Sequence, residues 1–191
     1  MMTRLRSFAL NCSWVTSIAF FLPGVASAAS QTATFAAGCF WGTEEFFRKI
    51  PGVMETQVGY EGGKGQADYG SVSGGSTGYA ETLQLKFDPG QVSYESLVVS
   101  FFKMHDPTTL NRQGNDRGTQ YRSAIFTHTP EQLKIAEKVK ARAEGPLGWK
   151  AKITTEIAPA TEFHPAEEYH QKYLVKNPGG YDNHSSRKLK F

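Results

Sequence analysis

The hydrophobic and polar residues of the chain follow two periodicities that alternate from residue 34 onwards. Short apolar or alternating runs, which are typical of strands, lie at 34–37, 53–60, 80–87, 121–127 and 153–158. Apolar positions at helical spacing lie at 43–50, 94–104, 130–143 and 166–175. Residues 61–78 and 105–120 are mostly polar, so we expect two long loops, which are often functional in compact domains.

The order of these elements indicates the fold class. Up to Thr127 it is strand, helix, strand, strand, helix, strand, which fits the split β-α-β layout of ferredoxin-like domains. We therefore predict an α+β protein: a two-layer α/β sandwich with helices against one face of a mixed sheet, extra helices and long loops. A doubly wound sheet is the alternative, but the adjacent strands that flank the 61–78 loop do not suit it.

The first 28 residues have the composition of an export signal. Arg4 and Arg6 precede an apolar run at 13–22, and the Ala-Ser-Ala motif at 26–28 supplies the small-x-small pattern before a cleavage site. We expect cleavage after this motif, a catalytic domain at 29–191, and an exported protein that is periplasmic or secreted. An uncleaved membrane anchor is the alternative, although the run is shorter than a bilayer span usually needs.

Charge and cysteine content change once the predicted signal is removed. The full chain has 21 basic and 18 acidic residues, and removal of the signal takes away two of the basic ones, Arg4 and Arg6. The net charge of the remaining chain is close to zero, so it gives no reason to expect nucleic-acid binding. Cys12 is lost as well, which leaves Cys39 as the only thiol. Exported proteins usually pair their cysteines, so a lone one is either a reactive thiol or an intermolecular link.

Cys39 lies between a strand end and a helix start, in the run Gly38-Cys39-Phe40-Trp41-Gly42. Backbone N–H groups at a helix N-terminus stabilise an anion, so this position predicts a lowered thiol pKa and a nucleophile. Free cysteines are also common core residues, and packing at the strand–helix junction explains the same residue. The motif alone therefore leaves catalysis and packing equally open.

Further polar residues could complete a site around Cys39. Tyr69 lies in the first long loop, and Glu81 begins an otherwise apolar strand, where poor solvation would keep its carboxyl protonated near neutral pH. Asp116 and Tyr121 lie at the entry of the next strand. Taken alone, each has an ordinary explanation as a solvated carboxylate, a turn residue or a packed aromatic.

Together these motifs resemble the A-type peptide methionine sulfoxide reductases, over residues 34–181. Four runs occur in the order of that family: Gly-Cys-Phe-Trp-Gly at 38–42, Thr-Gly-x-Ala-Glu at 77–81, Gly-Asn-Asp-x-Gly-Thr-Gln-Tyr-Arg-Ser at 114–123, and Asn-Pro-Gly-Gly-Tyr at 177–181. The resemblance implies thiol-dependent reduction of S-methionine sulfoxide, free or in proteins, and hence repair of oxidised proteins.

The resemblance also implies a role for each candidate residue. Cys39 would attack the sulfoxide sulfur and become a sulfenic acid, while Glu81 would protonate the sulfoxide oxygen. The polar groups around that oxygen would be Tyr69, Tyr121 and Asp116. The aromatic walls that receive the substrate methyl group would be Phe40 and Trp41.

Two positions depart from the family pattern. Tyr79 stands where many members have histidine, a change that leaves a polar ring. Asp182 stands where members that recycle internally have a cysteine after Pro-Gly-Gly-Tyr. Because the mature chain has no second cysteine, an external thiol must reduce the Cys39 sulfenic acid. Thioredoxin, glutaredoxin with glutathione, or dithiothreitol could supply the electrons.

The remaining partners follow from the same interpretation. We expect no bound cofactor, no metal, no nucleic acid, no membrane contact after signal removal, and a monomer whose substrates are oxidised proteins or peptides. Four residues have spacings that could suggest a metal site, but they form no tight ligand set: His164, Glu167, Glu168 and His170. The other histidines, expected at the surface or in loops, are His105, His128 and His184.

Two other function classes are compatible with a lone thiol. A cysteine hydrolase would need a histidine base beside Cys39, and no neighbouring motif supplies one. A non-catalytic thiol redox sensor, or a binding module for oxidised proteins, would share the aromatic pocket. Such a protein would show no turnover with excess dithiothreitol.

Overall fold

The computed structural model describes residues 29–191, so the predicted signal at 1–28, with Cys12, lies outside the described residues. The strands are β1 (Gln31–Ala37), β2 (Val53–Glu61), β3 (Ala80–Phe87), β4 (Arg112–Gln113), β5 (Asp116–Arg117), β6 (Ser123–Thr127), β7 (Glu156–Pro159) and β8 (His164–Pro165). The helices are α1 (Phe40–Phe47), α2 (Tyr69–Ser73), α3 (Tyr94–Met104), α4 (Pro130–Ala143) and α5 (Tyr173–Lys176), with a 3-10 turn at Thr119–Tyr121.

The central strands have the predicted split β-α-β arrangement. One sheet has the strand order β7-β6-β1-β3-β2-β8, and β4 and β5 form a separate small hairpin. Strand β3 lies between β1 and β2 and is antiparallel to both, while β6 is antiparallel to β1. Strand β7 pairs in parallel with β6, so the sheet is mixed. This is the ferredoxin-like layout that the order of elements predicts.

The larger part of the core lies between the sheet and the helices α1, α3 and α4. Phe35 of β1 stacks on Phe47 of α1 and Phe101 of α3, with ring centroids 5.0 and 5.4 Å apart. Strand side chains alternate between faces, so Ala36 points to the opposite side, where it packs with Ala124 in a smaller cluster. The helices therefore cover one face of the sheet, as predicted.

Helices α3 and α4 have the predicted bounds because their first residues are capped by side chains. Ser93 Oγ accepts the N–H of Ser96, and Thr129 Oγ1 accepts the N–H of Gln132, each at 3.1 Å. Pro130 follows the second cap at the position where a missing N–H costs nothing.

The predicted helix at 166–175 is wrong over most of its length. Residues 167–171 form turns, and α5 begins only at Tyr173. The interruption is at Lys172, whose φ of 54° is left-handed and whose N–H donates to Glu44 Oε2 at 2.7 Å. A contact with α1 thus replaces the helical hydrogen bond at this residue.

Three smaller differences concern boundaries. Helix α1 covers 40–47 rather than 43–50, so it begins directly after Cys39. The 61–78 loop contains α2, and the last predicted strand lies at 156–159 rather than 153–158. No helix within residues 29–191 combines the length and apolar character that a bilayer span requires.

Candidate active site

A cavity of about 100 Å³ lies where β1 ends and α1 begins. Its lining contains all seven site residues predicted from the sequence, together with Tyr181: Cys39, Phe40, Trp41, Tyr69, Glu81, Asp116, Tyr121 and Tyr181. A cavity of this size admits the end of one side chain but not a peptide segment. A larger groove of about 790 Å³ along β2 contains none of the predicted site residues, so we assign the chemistry to the smaller cavity.

Sheet pairing brings Glu81 to the thiol. Because β3 runs antiparallel to β1, the start of β3 lies beside the end of β1. The N–H of Phe40 donates to Glu81 Oε2 at 3.0 Å, and Glu81 is 3% exposed. Residues 41 positions apart in the sequence are therefore joined at the floor of the cavity.

Glu81 is protonated at neutral pH. Burial raises its pKa to about 8, against the opposing effect of the Phe40 hydrogen bond and with a further increase from the charge of Asp116. Since Oε2 accepts the Phe40 N–H, Oε1 is the oxygen that can carry the proton. The carboxyl can thus donate a proton to a group in the cavity.

Cys39 is the N-cap residue of α1 and is 8% exposed. Burial first, and then the charge of Glu81, raise the pKa of its thiol far above the usual range, while the N–H groups of Trp41 and Gly42 act in the opposite direction. The expectation of a lowered thiol pKa is therefore wrong for this structure, because desolvation outweighs the helix N-terminus. Protonation of Glu81 removes the second of these two causes.

Two tyrosine hydroxyls face the same cavity. Tyr69 is the first residue of α2, which begins there because Asp68 Oδ1 accepts the N–H of Ser71 at 2.8 Å. Tyr121 ends the 3-10 turn. Burial, and next the charge of Glu81, raise the pKa of both tyrosines, so both hydroxyls keep their protons and can donate hydrogen bonds.

Asp116 is held by the C-terminal segment. Its Oδ1 accepts a hydrogen bond from the Tyr181 hydroxyl at 3.0 Å, and its Oδ2 accepts one from Asn183 Nδ2 at 2.8 Å. The sequence analysis placed Tyr181 in a motif but did not assign it to the site. The signal in the sequence that could have assigned Tyr181 to the site was its position at the end of the fourth motif.

Comparison with known proteins decides the family. The family model for peptide methionine sulfoxide reductase matches residues 31–190. The chain belongs to this family. Peptide methionine sulfoxide reductase MsrA of Methanoculleus marisnigri is 52% identical over 151 residues, which cover 78% of this chain and 92% of the relative.

Solved structures agree with this assignment. Mxr1 from Saccharomyces cerevisiae in reduced form matches with a TM-score of 0.79 at 42% identity, covering 83% of this chain and 93% of that one. Mxr1 in complex with Trx2 matches with a TM-score of 0.58 at 28% identity, covering 83% and 91%. The protein is an A-type reductase, an oxidoreductase that reduces methionine S-sulfoxide with electrons from a thiol.

His170 packs against three residues that line the reductase cavity, Phe40, Trp41 and Tyr69, whereas the sequence suggested it only as a member of a possible metal set. It is 1% exposed, and its ring lies 5.0 Å from that of Phe40 and 4.6 Å from that of Tyr69. Trp41 Nε1 donates to His170 Nδ1 at 3.0 Å, so Nδ1 is unprotonated. Burial lowers the pKa of His170, with a smaller opposing effect of Glu167. The histidine is therefore a neutral acceptor for the Trp41 indole.

Among the other residues of the suggested metal set, Glu167 lies beside His170, with Oε2 3.9 Å from His170 Nε2. His164 Nε2 lies 3.2 Å from the Tyr79 hydroxyl, and Glu167 accepts the N–H of Tyr69 and the hydroxyl of Tyr60. Within residues 29–191, no three such side chains form a group that could hold a metal ion.

Two of the three histidines expected at the surface or in loops are buried. His105 is 1% exposed, and its Nε2 lies 2.8 Å from Ser123 Oγ. The side chain of His184 is 3% exposed and contacts the turn before Cys39. His128 is exposed, as predicted.

Proposed function

We propose that Cys39 attacks the sulfur of methionine S-sulfoxide directly and that an external thiol then restores it. The observation that carries this proposal is the buried Cys39 thiol on the floor of a cavity that it shares with the protonated Glu81 carboxyl. A nucleophile and an acid in one small cavity are what cleavage of a sulfur–oxygen bond requires. A cysteine hydrolase would in addition need a base beside Cys39, and a sensor needs no acid.

The reaction uses the groups that line the cavity. The substrate methyl group packs against Phe40 and Trp41, and the sulfoxide oxygen accepts hydrogen bonds from Tyr69 and Tyr121. Glu81 protonates that oxygen as the Cys39 sulfur attacks. The Cys39–methionine sulfur–sulfur bond forms as the sulfur–oxygen bond breaks, and the oxygen leaves as water with the protons of Glu81 and the thiol. Water then attacks the Cys39 sulfur, methionine is released as the sulfur–sulfur bond breaks, and a proton returns to Glu81. The products are methionine and the sulfenic acid, a two-electron oxidation of the thiol.

Regeneration is intermolecular. Residues 29–191 contain no second cysteine, and Asp182 occupies the position at which a resolving cysteine would follow Tyr181. One external thiol displaces water from the sulfenic acid to give a mixed disulfide, and a second thiol releases Cys39. The yeast Mxr1–Trx2 complex favours a thioredoxin-type reductant for this chain as well.

The proposal also includes export. The predicted signal at 1–28 directs the protein to the periplasm or the exterior, where the mature chain acts as a monomer on oxidised proteins and peptides. In that form Cys39 has no cysteine partner within its own chain.

A stoichiometric experiment tests this scheme. Protein purified after expression of the full chain, reduced and freed of thiol, should release one methionine per chain from S-methionine sulfoxide and then stop. Mass spectrometry should show removal of residues 1–28 and one added oxygen on Cys39 that dimedone traps. Glutathione or thioredoxin should restart turnover.

Matched reactions define the controls. The R epimer and Cys39→Ser should release no methionine, because a serine hydroxyl is a far weaker nucleophile toward sulfur. An internal disulfide would contradict direct regeneration. It would also mean that Cys12 is retained.

A further inference from the structure

Four consecutive residues of the C-terminal segment contact the site in two opposite directions. Tyr181 and Asn183 face Asp116, to which they donate at 3.0 and 2.8 Å. Asp182 and His184 face the turn between β1 and α1. Such alternation is typical of an extended segment, in which neighbouring side chains point to opposite sides.

Asp182 and His184 bind each other and the turn. His184 Nδ1 lies 2.9 Å from Asp182 Oδ1, and His184 Nε2 lies 2.7 Å from the carbonyl oxygen of Ala37. Both partners are hydrogen-bond acceptors, and each lies within hydrogen-bond distance of one ring nitrogen of His184. Partial burial raises the pKa of Asp182, but the hydrogen bonds and charge of His184 lower it below its usual value. The two side chains therefore form a hydrogen-bonded pair.

Gly42 provides the space for this pair. A Cβ at residue 42 would overlap both Asp182 Oδ1 and His184 Nδ1. Gly42 lies in the first turn of α1, three residues after Cys39, so the pair rests directly on the element that carries the nucleophile.

We propose that the Asp182–His184 pair is a latch that positions Tyr181 and Asp116 in the cavity. The inference rests on the proposed function, in which Asp116 belongs to the polar network around the sulfoxide oxygen. Since Tyr181 and Asn183 alternate with the latch residues, release of the latch withdraws both hydrogen-bond donors from Asp116. Each substrate molecule that binds then has to order Tyr181 and Asp116.

The rest of the tail is held independently of the latch. The N–H of Ser185 donates to the Met104 carbonyl at 3.1 Å, and the N–H of Arg187 donates to the Lys103 carbonyl at 2.8 Å. Loss of the latch should therefore loosen residues 181–184 without detaching the segment that follows.

Substitutions at residue 182 test the latch. In single-turnover release of methionine, Asp182→Ala should raise the half-saturating concentration of S-methionine sulfoxide about tenfold, the scale of a lost charged hydrogen bond. The saturating rate should stay within about twofold, because ordering affects ground and transition states alike. Asp182→Asn retains the acceptor oxygen and should remain within about threefold of the wild type. Ser186→Ala, an exposed substitution in the same tail, is the matched control.

A second measurement is independent of turnover. Gly42→Ala, which leaves both latch residues unchanged, should raise the half-saturating concentration as Asp182→Ala does. Both variants should increase the rate at which iodoacetamide alkylates Cys39, because the covering segment is loosened. An unchanged half-saturating concentration in Asp182→Ala, or equal losses in the Ala and Asn variants, would overturn the latch. Inactivity of the wild type toward the S epimer would instead overturn the proposed function.

Discussion

At the level of single residues, burial sets the protonation state of the site. Cys39 and Glu81 both have raised pKa values, and burial is the largest cause for each. A charge on Glu81 would raise the thiol pKa further, so the neutral carboxyl is the state in which Cys39 ionises most readily. The site thus holds its proton on Glu81, the group that gives it to the substrate in the proposed reaction.

The pH dependence of the first chemical step should report Glu81. Its pKa of about 8 means that the acid is protonated below that pH and lost above it, so the single-turnover rate should fall as pH rises through 8. Glu81→Gln keeps an acceptor for the Phe40 N–H but has no proton to donate. It should be slower by about a hundredfold at neutral pH. Rapid-quench release of methionine measures both rates.

The pH dependence of the single-turnover rate in Glu81→Gln provides the decisive comparison with the wild type. In this variant only ionisation of the thiol remains, so the rate should rise with pH instead of falling. A decline above pH 8 that persists in Glu81→Gln would assign the titration to another group.

At the level of elements, the segment at 166–176 supports Trp41, a residue of the cavity lining, because it does not form a continuous helix. Glu44 accepts the backbone N–H and the side-chain amine of Lys172, each at 2.7 Å, and this fixes the segment on α1. Tyr173 then stacks on Trp41 with ring centroids 3.7 Å apart, and His170 accepts the indole N–H. Trp41, which packs against the substrate methyl group in the proposed reaction, is therefore held in place by this segment.

Two amide substitutions of His170 should separate its acceptor role from its bulk. Asparagine can place an oxygen near the position of Nδ1, where Trp41 donates, whereas the glutamine amide reaches the position of Nε2. We expect His170→Gln to raise the half-saturating sulfoxide concentration about tenfold and His170→Asn to remain closer to the wild type. Tryptophan fluorescence should shift in the Gln variant, and equal effects of the two substitutions would contradict the acceptor role.

The elements that could be predicted from the sequence are those with local causes. Helices α3 and α4 are each directly preceded in the sequence by a capping residue, Ser93 and Thr129 respectively. The end of the 166–175 helix could not be predicted, because the interruption at Lys172 depends on Glu44, 128 positions away.

The same distinction between local and distant causes applies to the site. Four motifs contain every residue of the cavity lining except Tyr69, but the place of His170 depends on Trp41, 129 positions away. The direction of the Cys39 pKa shift depends on burial, which no local pattern contains.

At the level of the whole molecule, buried carboxyls make stability depend on pH. Glu61, at the end of β2, is fully buried, and burial raises its pKa to about 7, while the hydrogen bond from the Thr161 N–H to Oε1 opposes the shift. Its Oε2 has no hydrogen-bond partner in the described part of the chain. Glu61 and Glu81 therefore keep their protons in the folded protein at pH values at which the same carboxyls have lost theirs in the unfolded chain.

The contribution of Glu61 and Glu81 to the free energy of unfolding should therefore fall as pH rises from about 4.5 to 8. Groups with raised native pKa values bind more protons when folded, so their stabilising contribution is complete at low pH and is lost as pH rises. Glu61 should account for up to about 3 kcal/mol of this decline. Urea unfolding of the wild type and Glu61→Gln at pH 5 and pH 8 measures it. A decline of equal size in the variant would exclude Glu61 as a cause.

The depth of Cys39 determines which client proteins can be repaired. The thiol lies at the floor of a cavity of about 100 Å³, so a methionine sulfoxide must project its whole side chain to reach it. In a folded client, a buried methionine does so only during local opening, and the observed rate becomes the opening equilibrium multiplied by the intrinsic rate. The enzyme consequently repairs frayed loops and termini long before tightly packed cores, and its rate on a given client reports the local stability of that client.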